Sequence, residues 1–297
     1  MKKLLIIKTG AAGDVLRTTA LLHLFKDWEI DWFIDEGNRE LVLNSYVRHV
    51  FDKSGMVSAG KVYDLVIDLE DDAAVVGNLL QRLKFSRIFG ARIDEGKRIS
   101  YTPDSAAWFD LGLISRYGVR KADELKLRNR SSYQEILFRC LGHEFTGEEY
   151  IMPDQIPSST LKGDIAIAPK AGERWPMKTW FYFEDLKRDL SKHYRVNTLP
   201  MRRTILEHIA DIKQHRFVIS PDSLPMHIAL GLRIPCVAIF TCTSPWEIYD
   251  YGLLTKVISP KLDKYFYKRE FNEEGVKCVP YQQVYDLLLE KLRSRNT

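Results

Sequence analysis

The chain predicts an α/β protein of two doubly wound domains, and three observations carry that prediction. Short apolar runs alternate with helical segments in both halves, the pattern of parallel sheets covered on both faces. The first run, Leu4 to Ile7, leads to a small-residue turn, Gly10 to Gly13, that opens into an apolar-rich segment. A later run around Val218 and Ile219 ends in an Asp222-Ser223 turn that opens just as directly into another. Between the halves, Pro153 to Leu161 holds Pro153, Pro157, Ser158 and Ser159 and reads as the linker. The domains are therefore placed at 1–156 and 157–297.

Each element follows from local pattern. Leu4–Lys8 is a strand, because consecutive apolar residues suit the middle of a parallel sheet. Asp14–Lys26 reads as a helix: Asp14 stands where an N-cap is expected, and Val15 to Phe25 are apolar-rich. Strands follow near Ile30–Ile34, His49–Phe51, Leu65–Leu69 and Ile88–Gly90, with helices near Asn38–Asn44 and Asp72–Lys84. The acidic pair Asp71-Asp72 suits solvated capping of the last of these. Residues 92–130 are expected to be irregular, and Tyr133–Leu141 reads as a helix. From Ile165 the alternation resumes. A helix is expected over Thr179–Lys192, a strand over Tyr194–Leu199 and a helix over Arg203–Lys213. Tyr281–Arg293 closes the chain as an amphipathic helix.

In such sheets ligands bind outside the carboxyl ends of the strands. Asp14 falls at one such end in the first domain; Lys170, Arg174, Asp222, Ser223, Leu224 and His227 fall at such ends in the second. Ser223 is a good N-cap residue and Pro225 is tolerated in a first helical turn. Unpaired N–H groups and the helix dipole there suit a phosphate, and His227 lies about one turn in. Local pattern alone equally allows an ordinary capped helix with a satisfied histidine. The Gly10–Gly13 turn is neither a Walker A loop nor the three-glycine dinucleotide fingerprint. Asp14 reads as a plain cap or as a carboxylate placed to take a proton.

Taken together, four segments resemble glycosyltransferase family 9, which includes the lipopolysaccharide heptosyltransferases. They are Lys8-Thr9 with Gly13-Asp14-Val15-Leu16; Lys170 with Arg174-Trp175-Pro176, Lys178 and Trp180; Asp222-Ser223 with His227 and Ala229, then Pro235 and Phe240; and Thr243-Ser244-Pro245-Trp246-Glu247. The resemblance implies the GT-B architecture, two doubly wound Rossmann-like domains facing across a cleft. It implies an inverting, metal-independent transfer of a heptose-like sugar from a nucleotide-diphosphate sugar, ADP-heptose or another, with no cofactor. The acceptor would be a hydroxyl of a cell-envelope glycan such as the lipopolysaccharide core. Asp14 would be the catalytic base, with Gly10, Gly13 and Arg17 on the acceptor side. Lys170, Arg174, Asp222, Ser223, Leu224 and His227 would bind the donor. In such folds a closing helix often crosses back to the first domain.

Three departures qualify the resemblance. Leu224 stands where many members have glycine, and the stretch from Trp180 to Phe217 has room for only one strand and two helices. Both motivate an alternative, a non-catalytic sugar-nucleotide or glycan binding protein on the same scaffold. Some similar proteins carry a cysteine cluster after the position of Ser259-Pro260, where this chain keeps only Cys278; one cysteine makes no zinc or iron site, so no metal is expected there.

Composition narrows the classes. With 297 residues, 45% hydrophobic and 28% charged, the chain is long enough for two cores. No apolar run approaches a membrane span, and Lys8 interrupts the run that follows Met1-Lys2-Lys3. The four cysteines have no paired spacing and are expected as free thiols in a reducing cytoplasm. A net charge of +4 is far from a nucleic-acid signature but permits an anionic glycan or glycolipid acceptor and peripheral contact with the inner face of a membrane. Arg92, Lys97, Arg98, Arg116, Arg120 and Lys121, in the irregular stretch 92–130, either suit an anionic saccharide acceptor or form an ordinary solvated basic surface.

Overall fold

Lys3–Ile7 (β1) buries Leu4, Leu5, Ile6 and Ile7 completely. Burial of successive residues demands cover on both faces, which places the strand inside a parallel sheet. The computed structural model describes residues 1–53, 61–94, 98–172 and 175–293. Glu29–Phe33 (β2), Val47–Phe51 (β3), Val62–Asp68 (β4), Lys84–Ile93 (β5) and Ile99–Tyr101 (β6) complete a six-stranded sheet ordered β3-β2-β1-β4-β5-β6. All its pairs are parallel except β5 with β6. Leu4 faces Ile30 on one side and Leu65 on the other. Because strand order reverses between β1 and β4, their carboxyl ends flank a topological switch point.

A second sheet is built from Ile165–Ile167 (β7), Val196–Thr198 (β8), Phe217–Pro221 (β9), Cys236–Phe240 (β10) and Leu254–Ile258 (β11). All five strands are parallel, in the order β11-β10-β9-β7-β8, with the switch point between β7 and β9. The chain divides into two compact units, Met1–Gln155 and Ile156–Thr297. The closing helix, Tyr281–Arg293, buries Val284, Leu288 and Leu292 at four-residue spacing. They join Ile165, Trp180 and Leu186, so this helix packs on the core of the second unit.

Several elements differ from the pattern expected. The first helix spans only Ala12–Thr18 and continues as a 3-10 segment, Thr19–Phe25. Two hydroxyls explain the tightening: Thr18 donates to the Asp14 carbonyl and Thr19 to the Leu16 carbonyl, both at 2.6 Å. Asp14 is therefore not the N-cap but a first-turn residue, the cap position being Ala11. Glu36–Val42 is likewise 3-10. Residues 92–130, expected to be irregular, contain β6 and the helices Ala106–Phe109 and Val119–Arg128. Tertiary contact rather than periodicity orders them: Tyr101 stacks on Phe109 at 5.2 Å, and the Phe109 ring meets Trp108 edge-on at 4.7 Å.

Gly90 tests the β4–β5 register. Its φ is +104°, and a Cβ there would lie 1.9 Å from the Asp68 carbonyl oxygen. Gly90→Ala should cost about 3 kcal/mol or more. Urea unfolding of the two proteins checks it, and an unchanged midpoint would mean that β4 and β5 do not pair in this register.

Candidate active site

At the carboxyl end of β1 the chain turns through Lys8 and Thr9 into the helix Ala12–Thr18. Two side chains fix that turn: the Trp32 indole donates to the Lys8 carbonyl at 3.0 Å, and the Asn38 amide to the Thr9 carbonyl at 2.8 Å. Glu70, two residues past β4, accepts from the Lys8 ammonium at 3.0 Å and the Thr9 N–H at 2.6 Å. Both partners are buried, so the pair ties the ends of the switch-point strands. Burial pulls the Lys8 ammonium toward neutrality, but Glu70 above all, with Asp14 and Tyr133, holds it above its ordinary value. Burial raises the Asp68 carboxyl well above the carboxylate range, despite the Glu70 N–H it accepts.

Asp14 lies beside this pair with 39% of its side chain exposed. Its carboxylate meets the Arg17 guanidinium at 2.8 Å, one helical turn on. Arg17 in turn lies over the Tyr133 ring, its guanidinium carbon 3.9 Å from the centroid. The Tyr133 hydroxyl meets the Thr18 hydroxyl at 2.7 Å. The carboxylate is thus presented at the sheet's carboxyl edge beside a buried guanidinium packed on a ring. Gly10 has ordinary space around it, with Asn38 Nδ2 3.6 Å from where a Cβ would sit, and Gly13 lies inside the helix.

In the second unit, Asp222 follows β9 and is buried. Lys178 donates to both its carbonyl and its carboxylate at 2.8 Å, and the Thr243 hydroxyl donates to the same carboxylate at 2.6 Å. Burial pushes the carboxyl up, but Lys178 first and then His227 and Thr243 outweigh it and hold the group near pKa about 2. Asp222 therefore stays ionised and fixes Lys178, whose ammonium lies 5.7 Å from the Trp175 ring centroid. Arg269 approaches the same ring at 5.1 Å. Ser223 occupies the N-cap position of the helix Leu224–Gly231, but its hydroxyl makes no capping bond, lying instead 3.1 Å from the Ser220 hydroxyl. His227 is buried in that helix, and Lys170 is exposed after β7. Arg174 and Lys97 lie outside the described residues.

The sequence motifs thus place Asp14 with Arg17, and Asp222 with Lys178, Thr243 and His227. They overlook Glu70 and Tyr133. Glu70 carried a usable signal, a carboxylate just past an apolar strand. Tyr133 carried none, because 116 residues separate it from Arg17.

One group of three described side chains could hold a metal: Glu29, Asp31 and His49, at the opposite, amino edge of the first sheet. A cation already sits there. Lys61 donates to Glu29 at 2.8 Å and Asp31 at 2.6 Å, and these bonds hold its ammonium above the ordinary value against burial. The four cysteines are free, and burial pushes the Cys242 thiol up to about 11. Cys236 and Cys242 are buried, while Cys140 and Cys278 are half-buried.

Two α/β units, each with a largely parallel sheet and charged loops at its carboxyl edge, give the chain the fold of solved GT-B heptosyltransferases. The sequence model described as glycosyltransferase family 9 (heptosyltransferase) matches residues 183–274 of this chain. The heptosyltransferase WaaC from E. coli, solved with ADP, is 15% identical with a TM-score of 0.58, covering 97% of this chain and 98% of that one. The E. coli ADP-heptose lipopolysaccharide heptosyltransferase II is 14% identical with a TM-score of 0.60, and both chains are covered fully. TibC, an iron-containing dodecameric glycosyltransferase from enterotoxigenic E. coli H10407, is 12% identical with a TM-score of 0.55, covering 100% of this chain and 77% of that one. At these identities the structural likeness shows the fold. No curated protein matches the chain by sequence. Among the described residues no helix is long and apolar enough to cross a membrane.

The Asp222–Lys178 pair makes a pH prediction. The folded carboxyl sits lower than in the unfolded chain, so its contribution is full above about pH 4 and is lost as pH falls through about 2. The expected loss is roughly 2 kcal/mol. Lys178→Met strands a buried carboxylate and should cost about 3–5 kcal/mol near neutrality. Its deficit should shrink on acidification, as that carboxyl takes a proton. Urea unfolding across the acid range checks both, and parallel pH profiles would count against the pair.

Proposed function

We propose that this chain is an inverting, metal-independent glycosyltransferase that moves a heptose-like sugar from a nucleotide-diphosphate sugar to a hydroxyl of an anionic envelope glycan. The observation that carries the reading is the half-exposed Asp14 carboxylate, held by Arg17 at the carboxyl edge of the first sheet. A carboxylate offers about four lone-pair sites, so Asp14 can accept a hydroxyl proton while Arg17 is bound. As the acceptor oxygen attacks the anomeric carbon, its proton passes to Asp14 and the bond to the nucleoside diphosphate breaks. A single displacement inverts the anomeric configuration. Gly10 and Gly13 keep the acceptor side free of bulk.

The second unit supplies the donor's grip. Lys178, held by Asp222, joins Lys170 and Arg174 as cations for the diphosphate, and the N–H groups at Ser223 and Leu224 add to them. Asp222 itself, an anion, acts through Lys178 and His227 rather than on phosphate. Cations in these roles replace a metal. Iron is named for TibC; here the one described trio of possible metal ligands, Glu29, Asp31 and His49, already holds Lys61. ADP in the WaaC structure makes ADP-heptose the first donor to try. On this reading the protein works in the cytoplasm, which suits its four free cysteines.

Two outcomes are expected. Asp14→Asn should keep ADP binding and lower turnover by roughly 100-fold or more. If it turns over near the wild-type rate in a product assay, the base lies elsewhere. Full binding of nucleotide sugar without any turnover in the wild type would instead favour the non-catalytic binding protein. Second, Lys170→Ala and Arg174→Ala should each weaken ADP binding by about 1.5–3 kcal/mol with little change in melting temperature. Calorimetry with a chelator present checks this: wild-type affinity in both variants, or binding abolished by the chelator, would overturn the phosphate site.

A further inference from the structure

We propose that residues 111–130 of the first unit form a surface that docks on an anionic lipid bilayer. Three of the ten large apolar side chains that are exposed among the described residues fall within one short turn: Leu113 at 50%, Tyr117 at 54% and Val119 at 51% exposure. Such a concentration of exposed apolar groups marks a contact surface, whereas isolated ones do not. The charge pattern around them is one-sided. The segment 111–130 holds Arg116, Arg120, Lys121, Lys126, Arg128 and Arg130 against Asp123 and Glu124, a net +4. The whole chain also carries +4, so the rest of the sequence is electrically balanced.

The turn is built to display these groups. The Arg116 N–H donates to the Tyr101 hydroxyl at 2.9 Å, and that hydroxyl donates to Asp110. The Arg116 guanidinium returns to Asp110 at 2.9 Å and lies 4.9 Å from the Tyr117 ring centroid. Ser115, buried beneath, accepts the Tyr117 N–H through its hydroxyl and the Gly118 N–H through its carbonyl. The ten-residue helix Val119–Arg128 follows with only Ala122 fully buried. A basic helix with exposed leucine, valine and tyrosine at its entry suits the interfacial region, where apolar groups enter the headgroup boundary and cations meet anionic lipid. Phosphate recognition alone gives Leu113 and Val119 nothing to do, which favours a bilayer over a nucleic acid or a soluble polyanion.

The test of this surface needs no sugar donor, so it can fail without the transfer reading failing. The wild-type protein is floated with vesicles of phosphatidylcholine containing phosphatidylglycerol, and with phosphatidylcholine alone. It should bind the anionic vesicles, release them in high salt, and leave the neutral ones unbound. The double variant Arg120→Glu/Lys121→Glu should bind roughly tenfold more weakly or worse. The triple variant Leu113→Ser/Tyr117→Ser/Val119→Ser should also lose about tenfold, with melting temperatures unchanged in both. Hydrogen exchange on the wild type keeps the test independent of any variant: protection should appear over 111–130 when anionic vesicles are added. Absence of vesicle binding, binding indifferent to both variants, protection elsewhere, or capture by heparin but not by vesicles would each overturn the proposal.

Discussion

A parallel sheet gathers all its carboxyl ends along one edge, and the polar loops that follow must be held where strand order reverses. In this protein each switch-point edge carries a lysine–carboxylate pair, fully buried at Lys8–Glu70 and part-buried at Lys178–Asp222. Lys8 with Glu70 joins the ends of β1 and β4, and Lys178 with Asp222 binds the turn after β9, with Thr243 after β10 closing on the same carboxylate. A buried charge is costly alone and tolerable only with partner and hydrogen bonds in place. The loops are therefore specified in position rather than merely connected. Asp14, Arg17 and the Ser223 turn inherit their placement from these pairs.

Much of this was legible in the chain. The consecutive apolar residues of β1, β9 and β10 announce strands buried on both faces, and the residues after them mark the strands' carboxyl ends. Asp14 and the Asp222-Ser223 turn were found that way. What escaped were features set by distant contact. The break in the first helix comes from the Thr18 and Thr19 hydroxyls, whose helix-compatible neighbours hid it. The order within residues 92–130 comes from stacked rings and Asp110, which leave no periodic trace. Ser223 reads as a capping hydroxyl, yet Ser220 competes for it. The Tyr133 shelf beneath Arg17 is invisible to any local window.

Within the first unit, the Asp14 edge and the basic turn are joined by a continuous line of rings. Arg17 lies on Tyr133, Tyr133 meets Trp108 edge-on at 5.6 Å, Trp108 meets Phe109, and Phe109 stacks on Tyr101, whose hydroxyl holds Arg116. Close-packed rings interdigitate with little play. The group that orients the carboxylate and the turn that displays Leu113 and Tyr117 thus share one rigid body.

The position of β8 has a consequence of its own. With three residues and one paired side, Val196–Thr198 forms the margin of the second sheet, next to β7 but away from the β7–β9 reversal. Further strand–helix units could be appended past β8 without breaking any existing ladder, because no interior pairing crosses that margin. Length variation between Thr198 and Thr204 is therefore geometrically cheap, while a single-residue shift within β9 would turn its buried faces inside out. The second unit can change in size at its rim while the spacing of Lys178, Asp222 and Thr243 stays constant.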